Sequence, residues 1–152
     1  MKPLITIVIP TYNRCEKIKK ALSSVKAQTF QNWEAIVVDN NSKDGTKELV
    51  NNFNDRRIKF YEIINEGLIS KSRNFGIAKS EGQYLAFLDS DDWWTPNKLE
   101  ITEQHINKGY KFLYHDMYIS KNKNLIKTKT KYCRDLHRPI YNDLIENGPA
   151  FP

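Results

Sequence analysis

Apolar and polar positions follow two alternating periods along this chain. Leu4-Ile5-Thr6-Ile7-Val8-Ile9 is β-branched and almost wholly apolar, the pattern of a strand buried on both faces, and it stops at Pro10. From Glu16 to Gln28 the residues Ile18, Ala21, Leu22 and Val25 recur at i, i+3, i+4 and i+7, with lysines on the remaining face. That spacing predicts an amphipathic helix. Trp33–Asp39 is a second buried strand ending in a carboxylate, Ser42 stands where it would cap a helix through about Phe53, and Ile58–Ile63 reads as a third strand. A helix over Ile69–Lys79, closed by Gly82, leads to a fourth buried strand over Tyr84–Leu88. Thr95 and Pro96 then read as the cap and first position of a helix ending at Gly109. Lys111–Ser120 and Leu125–Lys131 predict two strands joined by the polar turn Lys121–Asn124, and Arg138–Asn147 a last short helix.

Repeated β-α units imply an α/β domain with a mainly parallel sheet and helices on both faces. With no internal repeat or linker, the expectation is one domain over residues 1–152. Ligands of open α/β sheets sit outside the carboxyl ends of the strands. Three distinctive clusters fall there: Pro10-Thr11-Tyr12-Asn13-Arg14, Asp39-Asn40-Asn41-Ser42 and Asp89-Ser90-Asp91-Asp92. Their convergence on one edge is the central expectation.

Each cluster offers chemistry. Asp89, Asp91 and Asp92 place three negative charges within four positions, which repel unless a cation joins them. Hard oxygen ligands of this kind suit Mg²⁺ or Mn²⁺; a solvated turn with Asp as a helix cap is the plain alternative. Tyr12 can stack on a nucleobase, a contact worth about 1–3 kcal/mol, or simply pack. Asp39 can accept from a base edge or cap the turn at Ser42. Arg73, ahead of the fourth strand, can fork onto a diphosphate or pair with one of the aspartates. No GxGxxG or GxxxxGK[ST] loop is present to cradle phosphate, so a metal would have to neutralise it instead. No Ser/His/Asp or Cys/His nucleophile arrangement stands out.

Charge changes the picture in one place. The chain carries a net +6, but Lys121–Arg138 alone holds seven basic residues and one acid, leaving the remainder balanced. Nucleic acid is therefore not an expected partner of the main body. Lys127, Lys129 and Lys131 would share one strand face, either simply solvated or docked on an anionic membrane surface. Cys15 and Cys133 lie far apart and read as reduced thiols of a cytosolic protein, while His105, His115 and His137 lack metal-site spacing. No apolar run approaches the ~20 residues of a spanning helix. The Lys2-Pro3 start reads as part of the fold rather than a signal peptide.

In order, Val8-Ile9-Pro10-Thr11-Tyr12-Asn13-Arg14, Val37-Val38-Asp39-Asn40-Asn41-Ser42-Lys43-Asp44-Gly45-Thr46, Asn65-Glu66-Gly67 with Ser72-Arg73-Asn74, and Phe87-Leu88-Asp89-Ser90-Asp91-Asp92 resemble the N-terminal half of family 2 glycosyltransferases. The resemblance runs from about Ile5 to Leu99. It implies a GT-A (Rossmann-like) fold and inverting transfer of a sugar from a nucleotide-sugar donor, a UDP-sugar by analogy, to a glycan or lipid-linked acceptor in cell-surface polysaccharide synthesis. On that resemblance Pro10, Thr11, Tyr12 and Asn13 belong to the nucleotide pocket, Asp39 binds the base, and Arg73 approaches the nucleotide-sugar. Asp89 and Asp91, flanking Ser90, form the DXD pair at the ribose and metal, with Asp92 a second metal candidate. A hydrophobic run before Asp-x-Asp also occurs in haloacid-dehalogenase-like phosphatases, but on an early strand, whereas three strands precede it here.

Members of the family carry a carboxylate general base well beyond the DXD, and this chain stops about 60 residues after it. Asp116, Asp135, Asp143 and Glu146, the acids beyond Gly109, sit in no recognisable base motif. The expectation is a C-terminally truncated domain that binds a nucleoside diphosphate with Mn²⁺ and turns over poorly. It would lie in the cytoplasm or at the inner face of the membrane, with an uncovered edge that favours self-association. A non-catalytic nucleotide- or polyanion-binding module is the alternative.

Overall fold

A computed structural model of the chain describes residues 2–115 and the backbone of two short strands at 118–121 and 124–127. The chain forms two compact units, Met1–Gly109 and Tyr110–Pro152. In the first unit the elements are β1 (Ile5–Thr11), α1 (Cys15–Lys26), β2 (Trp33–Asp39), α2 (Thr46–Asn51), β3 (Ile58–Glu62), α3 (Ile69–Ala78), β4 (Tyr84–Phe87) and α4 (Lys98–Asn107). The four strands form an all-parallel sheet in the order β3-β2-β1-β4. The expected α/β architecture is therefore present.

The period-two pattern explains how both faces are filled. Ile5, Ile7, Ile9, Ala35 and Val37 join Ile18, Ala21, Leu22 and Val25 of α1, Val50 of α2 and Leu99 of α4 in one buried cluster. The alternate residues face α3, where Gly76 lies directly over Val8: a Cβ at Gly76 would come within 2.4 Å of a Val8 methyl. Only glycine permits that approach. Gly76→Ala is expected to destabilise the fold by about 1–3 kcal/mol through overpacking, read as a lowered thermal midpoint; an unchanged midpoint would mean that α3 shifts freely on the sheet.

Several boundaries differ from the sequence expectation. β1 continues through Pro10, which pairs in register with Val38 of β2. The carbonyl of Val8 points toward β4, accepting from Leu88 N–H, and that of Thr11 points toward β2, accepting from Asn40 N–H. Pro10, in phase with Val8, thus directs its missing N–H to the side where β4 has already ended, and no ladder bond is lost. Gly45, at φ 85°, occupies the N-cap of α2 in place of Ser42, and Asn97 that of α4 in place of Thr95. The first N–H of α2, at Thr46, is accepted by the neighbouring Asp44 Oδ1, while α1 and α4 are capped from elsewhere in the chain. Asp44 Oδ2 accepts the N–H of Cys15 at the start of α1, and Gln28 Oε1 accepts that of Leu99 in the first turn of α4, satisfying helix-end donors across space. β4 is not the fully buried strand expected. Its residues alternate, with Leu85 and Phe87 exposed by 42% and 47%.

Near the amino end of the sheet, Glu34 is buried on the α3 side. Its Oε1 accepts from the Thr6 hydroxyl and the Glu81 N–H, and its Oε2 lies 2.8 Å from Lys59 Nζ. In the second unit, β5 (Tyr118–Lys121) and β6 (Asn124–Lys127) pair antiparallel with Ile119 opposite Ile126. The first of the two expected strands therefore begins later than Lys111, because residues 111–115 are irregular. Cys133, His137, most of the basic segment, Asp116, Asp135, Asp143, Glu146 and the expected helix at Arg138–Asn147 lie outside the described residues.

Candidate functional site

The strand order places a topological switch between β1 and β4: the chain leaves β1 toward β2 and β3, then returns on the other side. Loops diverge at such a point and leave a crevice at the carboxyl edge. A cleft of about 290 Å³ opens there. One wall is Pro10 and Thr11 at the end of β1 with Tyr12 and Arg14 after it; the opposite wall is Asp89, Ser90 and Asp91 after β4. Asn40 after β2, Asn65 and Gly67 in the β3–α3 loop, and Ile69 and Ser72 in the start of α3 close it. A larger hollow of about 780 Å³ lies between α1 and α2. It includes no strand-end residue and no carboxylate, so the smaller cleft is the candidate.

Hydrogen bonds between loops hold the rim. Asn13 and Asn41 both adopt positive φ, 47° and 55°, a region that Asn tolerates. Asn13 N–H donates to Ser42 Oγ at 2.7 Å, and Lys43 N–H donates to Asn13 Oδ1 at 2.9 Å. Asn13 thus joins the loops after β1 and β2. Asn40 Oδ1 accepts from Asn65 N–H at 2.8 Å, while the buried Asn65 side chain accepts from Gly67 N–H and donates to Ser72 Oγ. The β3–α3 loop is thereby fixed to the end of β2. Glu66 and Gly67 both have positive φ, which tightens that loop where the cleft begins.

The named candidates fall into two groups. Tyr12 presents a ring 55% exposed at the cleft. Thr11 is 95% buried on the wall, and its hydroxyl lacks a hydrogen-bond partner. Asp39 sits behind the wall, 1% exposed, where both carboxylate oxygens are engaged by Ser42: the backbone N–H donates to Oδ2 at 2.7 Å and the hydroxyl to Oδ1. A carboxylate has about four acceptor positions, so Asp39 keeps acceptor capacity beyond those two bonds.

The acidic turn is balanced by cations. Arg73 Nη2 donates to Asp89 Oδ1 at 2.8 Å, while Arg73 Nε is buried without a partner. Arg14 Nη1 lies 3.2 Å, and Lys17 Nζ 3.7 Å, from Asp91 Oδ2. Asp92 N–H donates to the Asp89 carbonyl at 3.0 Å, closing the turn. Like-charge repulsion within the turn is thus offset by Arg14, Lys17 and Arg73. Arg14, Lys17, Asn40 and Asn65 carry no role that the sequence alone assigns. Arg14 and Asn40 belong to strand-end clusters expected at this edge, whereas Asn65 reaches it through the folded β3–α3 loop.

Among the described residues no three His, Cys, Asp or Glu side chains cluster as a metal cage. Mg²⁺ and Mn²⁺ seldom need one, since one or two carboxylates suffice where phosphate and water complete the sphere. Asp89 and Asp91, each about half exposed on the cleft, fit that donor set.

Comparison with known proteins places the chain among relatives of known class. The chain is 36% identical over 145 residues, 95% of its length, to an Escherichia coli protein, the UDP-Glc:alpha-D-GlcNAc-diphosphoundecaprenol beta-1,3-glucosyltransferase WfgD, of which it covers 56%. It is 34% identical over 82% of its length to the GalNAc(5)-diNAcBac-PP-undecaprenol beta-1,3-glucosyltransferase of Campylobacter jejuni, covering 41% of that protein. The chain therefore spans about half the length of these relatives. Among solved structures, residues 1–349 of S. aureus TarS in complex with UDP-GlcNAc superpose with a TM-score of 0.66 at 31% identity, covering 71% of this chain and 32% of that one. The family profile described as glycosyl transferase family 2 matches residues 6–148, and the chain belongs to that family.

Proposed function

We propose that this chain is the donor-binding part of an inverting, metal-dependent glycosyltransferase that takes a sugar from a nucleoside-diphosphate sugar, with UDP-sugar favoured, and delivers it to a lipid-linked glycan of the cell surface. The reading rests on one observation: an exposed ring, the Arg14 guanidinium and two carboxylates line a single crevice at the strand switch, with Arg73 bonded to one of those carboxylates from behind. The UDP-GlcNAc complex of TarS and the diphosphoundecaprenol substrate named for WfgD support the donor and acceptor classes.

In this reading Tyr12 stacks on the base, and Asp39, oriented by Ser42, accepts from the base edge through its remaining acceptor capacity. Thr11 and Asn65 shape the pocket, and Arg73, steadied by Asp89, faces the diphosphate with a forked donor. Asp91 with Asp89 would hold Mn²⁺ or Mg²⁺, which when bound offsets charge on the leaving diphosphate. Asp92 stands next in line on the turn. An inverting displacement also requires a base for the acceptor hydroxyl, and no described residue on the cleft is placed in that role. No helix among the described residues is long and apolar enough to cross a membrane.

Calorimetric titration with UDP, GDP, uridine and a short RNA, each with and without Mn²⁺, tests the reading. UDP with Mn²⁺ is expected to bind most tightly and RNA not at all. Failure of UDP to bind under any condition would remove the donor assignment. Tyr12→Ala is expected to weaken uridine and UDP alike by roughly 5- to 150-fold, the equivalent of one base stack of about 1–3 kcal/mol, while leaving the melting temperature unchanged because the ring is half exposed.

A further inference from the structure

We infer that Arg14 is a diphosphate-binding residue held back by Asp91, so that occupancy of Asp91 by a divalent cation and binding of the diphosphate reinforce each other. The inference rests on the donor reading above and adds to it a residue and a coupling.

Two arginines flank the acidic turn, and they are held differently. Arg73 bonds Asp89 at 2.8 Å, with its Nε buried, so its position is set by the body of the protein. Arg14 reaches Asp91 at 3.2 Å from the end of the β1 loop, and Lys17, three residues on, stands 3.7 Å from the same oxygen. All three side chains of this second group are 42–55% exposed. Exposed ion pairs of this kind are weak, and exchanging one partner for another costs little.

Asp91 is the point of competition. Its carboxylate cannot serve Arg14, Lys17 and a divalent cation equally. Once Asp91 turns to a cation, Arg14 remains on the wall of the cleft with its guanidinium unpaired. A guanidinium matches phosphate oxygens with a forked pair of donors, and this chain has no glycine-rich phosphate loop to do that work. Arg14 therefore passes from a carboxylate to a phosphate as the site fills, and the charge around Asp91 stays balanced at each stage.

The consequence is a pair of effects with opposite signs in one variant. In Arg14→Gln, the protein without nucleotide should bind Mn²⁺ about fivefold more tightly, because Asp91 is freed from one competitor. The same variant should bind UDP in the presence of Mn²⁺ about tenfold more weakly, with uridine unaffected, because only the phosphate contact is lost. Arg14→Lys, which keeps the charge without the fork, should fall between the two. Calorimetry on the full chain with Mn²⁺ alone, uridine, and UDP plus Mn²⁺ reads all three quantities. Unchanged or weaker Mn²⁺ binding by Arg14→Gln, or equal losses for uridine and UDP, overturns the inference while leaving the donor site standing. If the unaltered protein binds no UDP, the donor reading itself fails, and this inference with it.

Discussion

Asp91→Asn is expected to abolish the Mn²⁺ dependence of UDP binding. Asp91 is the half-exposed carboxylate on the cleft wall that faces Arg14 and Lys17, and the amide keeps its shape while removing its charge. Loss even of a residue supporting a metal ligand costs 10–100-fold in metal affinity, so loss of a ligand itself should cost about 100-fold or more. The checking measurement is the ratio of UDP affinities with and without Mn²⁺: well above one for the unaltered protein and close to one for the variant. With the carboxylate gone, Arg14 is released, and metal-free UDP binding should strengthen rather than weaken. A variant that keeps its full response to Mn²⁺ would move the metal to Asp89 or Asp92. Thermal stability should barely change, since the ion pairs lost are exposed.

The second large effect is on stability. Lys59→Met leaves the buried Glu34 carboxylate with its hydrogen bonds from Thr6 and Glu81 but without its cation. Removing one partner of a buried ion pair costs roughly 3–5 kcal/mol. Lys59 is about one-third exposed, so water recovers part of that and about 2–3 kcal/mol is expected from denaturant unfolding at neutral pH. The dependence on pH has a definite sign. Burial alone would raise the Glu34 pKa, but Lys59 and the donors from Thr6 and Glu81 together hold it below its ordinary 4.5. A depressed carboxyl stabilises the fold above its unfolded value, and that contribution disappears as pH falls through the folded one. The gap between the unaltered protein and Lys59→Met should therefore narrow below about pH 4.5. A gap that is constant from pH 7 to pH 3, or absent at pH 7, would show that the pair contributes nothing.

Local features of the fold follow from neighbouring residues. Ile18, Ala21, Leu22 and Val25 bury as their spacing requires, and β1 and β2 are buried at every position, because period and β-branching are properties of neighbouring residues. The site was legible to the extent that it is a sum of strand ends: once the sheet is parallel, Tyr12 and Asp91 must approach one edge. Which group each candidate meets was not legible. Asp39 reads equally as a base acceptor and as a turn former, and the fold engages it with Ser42 while leaving it acceptor capacity. Arg73 reads as a ligand for phosphate or for an aspartate, and the fold sets it against Asp89. Thr95 has the side chain and the position before Pro96 of a local cap, whereas the donor at Leu99 is satisfied by Gln28, 71 positions away.

By itself, the order of residues determined the alternation of strands and helices, the parallel sheet and the four clusters that carry the family likeness. These follow from side-chain periodicity and from the rule that parallel strands end on the same edge. Only the tertiary structure decided how the acidic turn is neutralised, which helix ends are capped from a distance and which face of β4 stays exposed. Those outcomes depend on electrostatic and hydrogen-bond partners far apart in the chain, and their pairing is fixed when the sheet closes rather than by any local pattern.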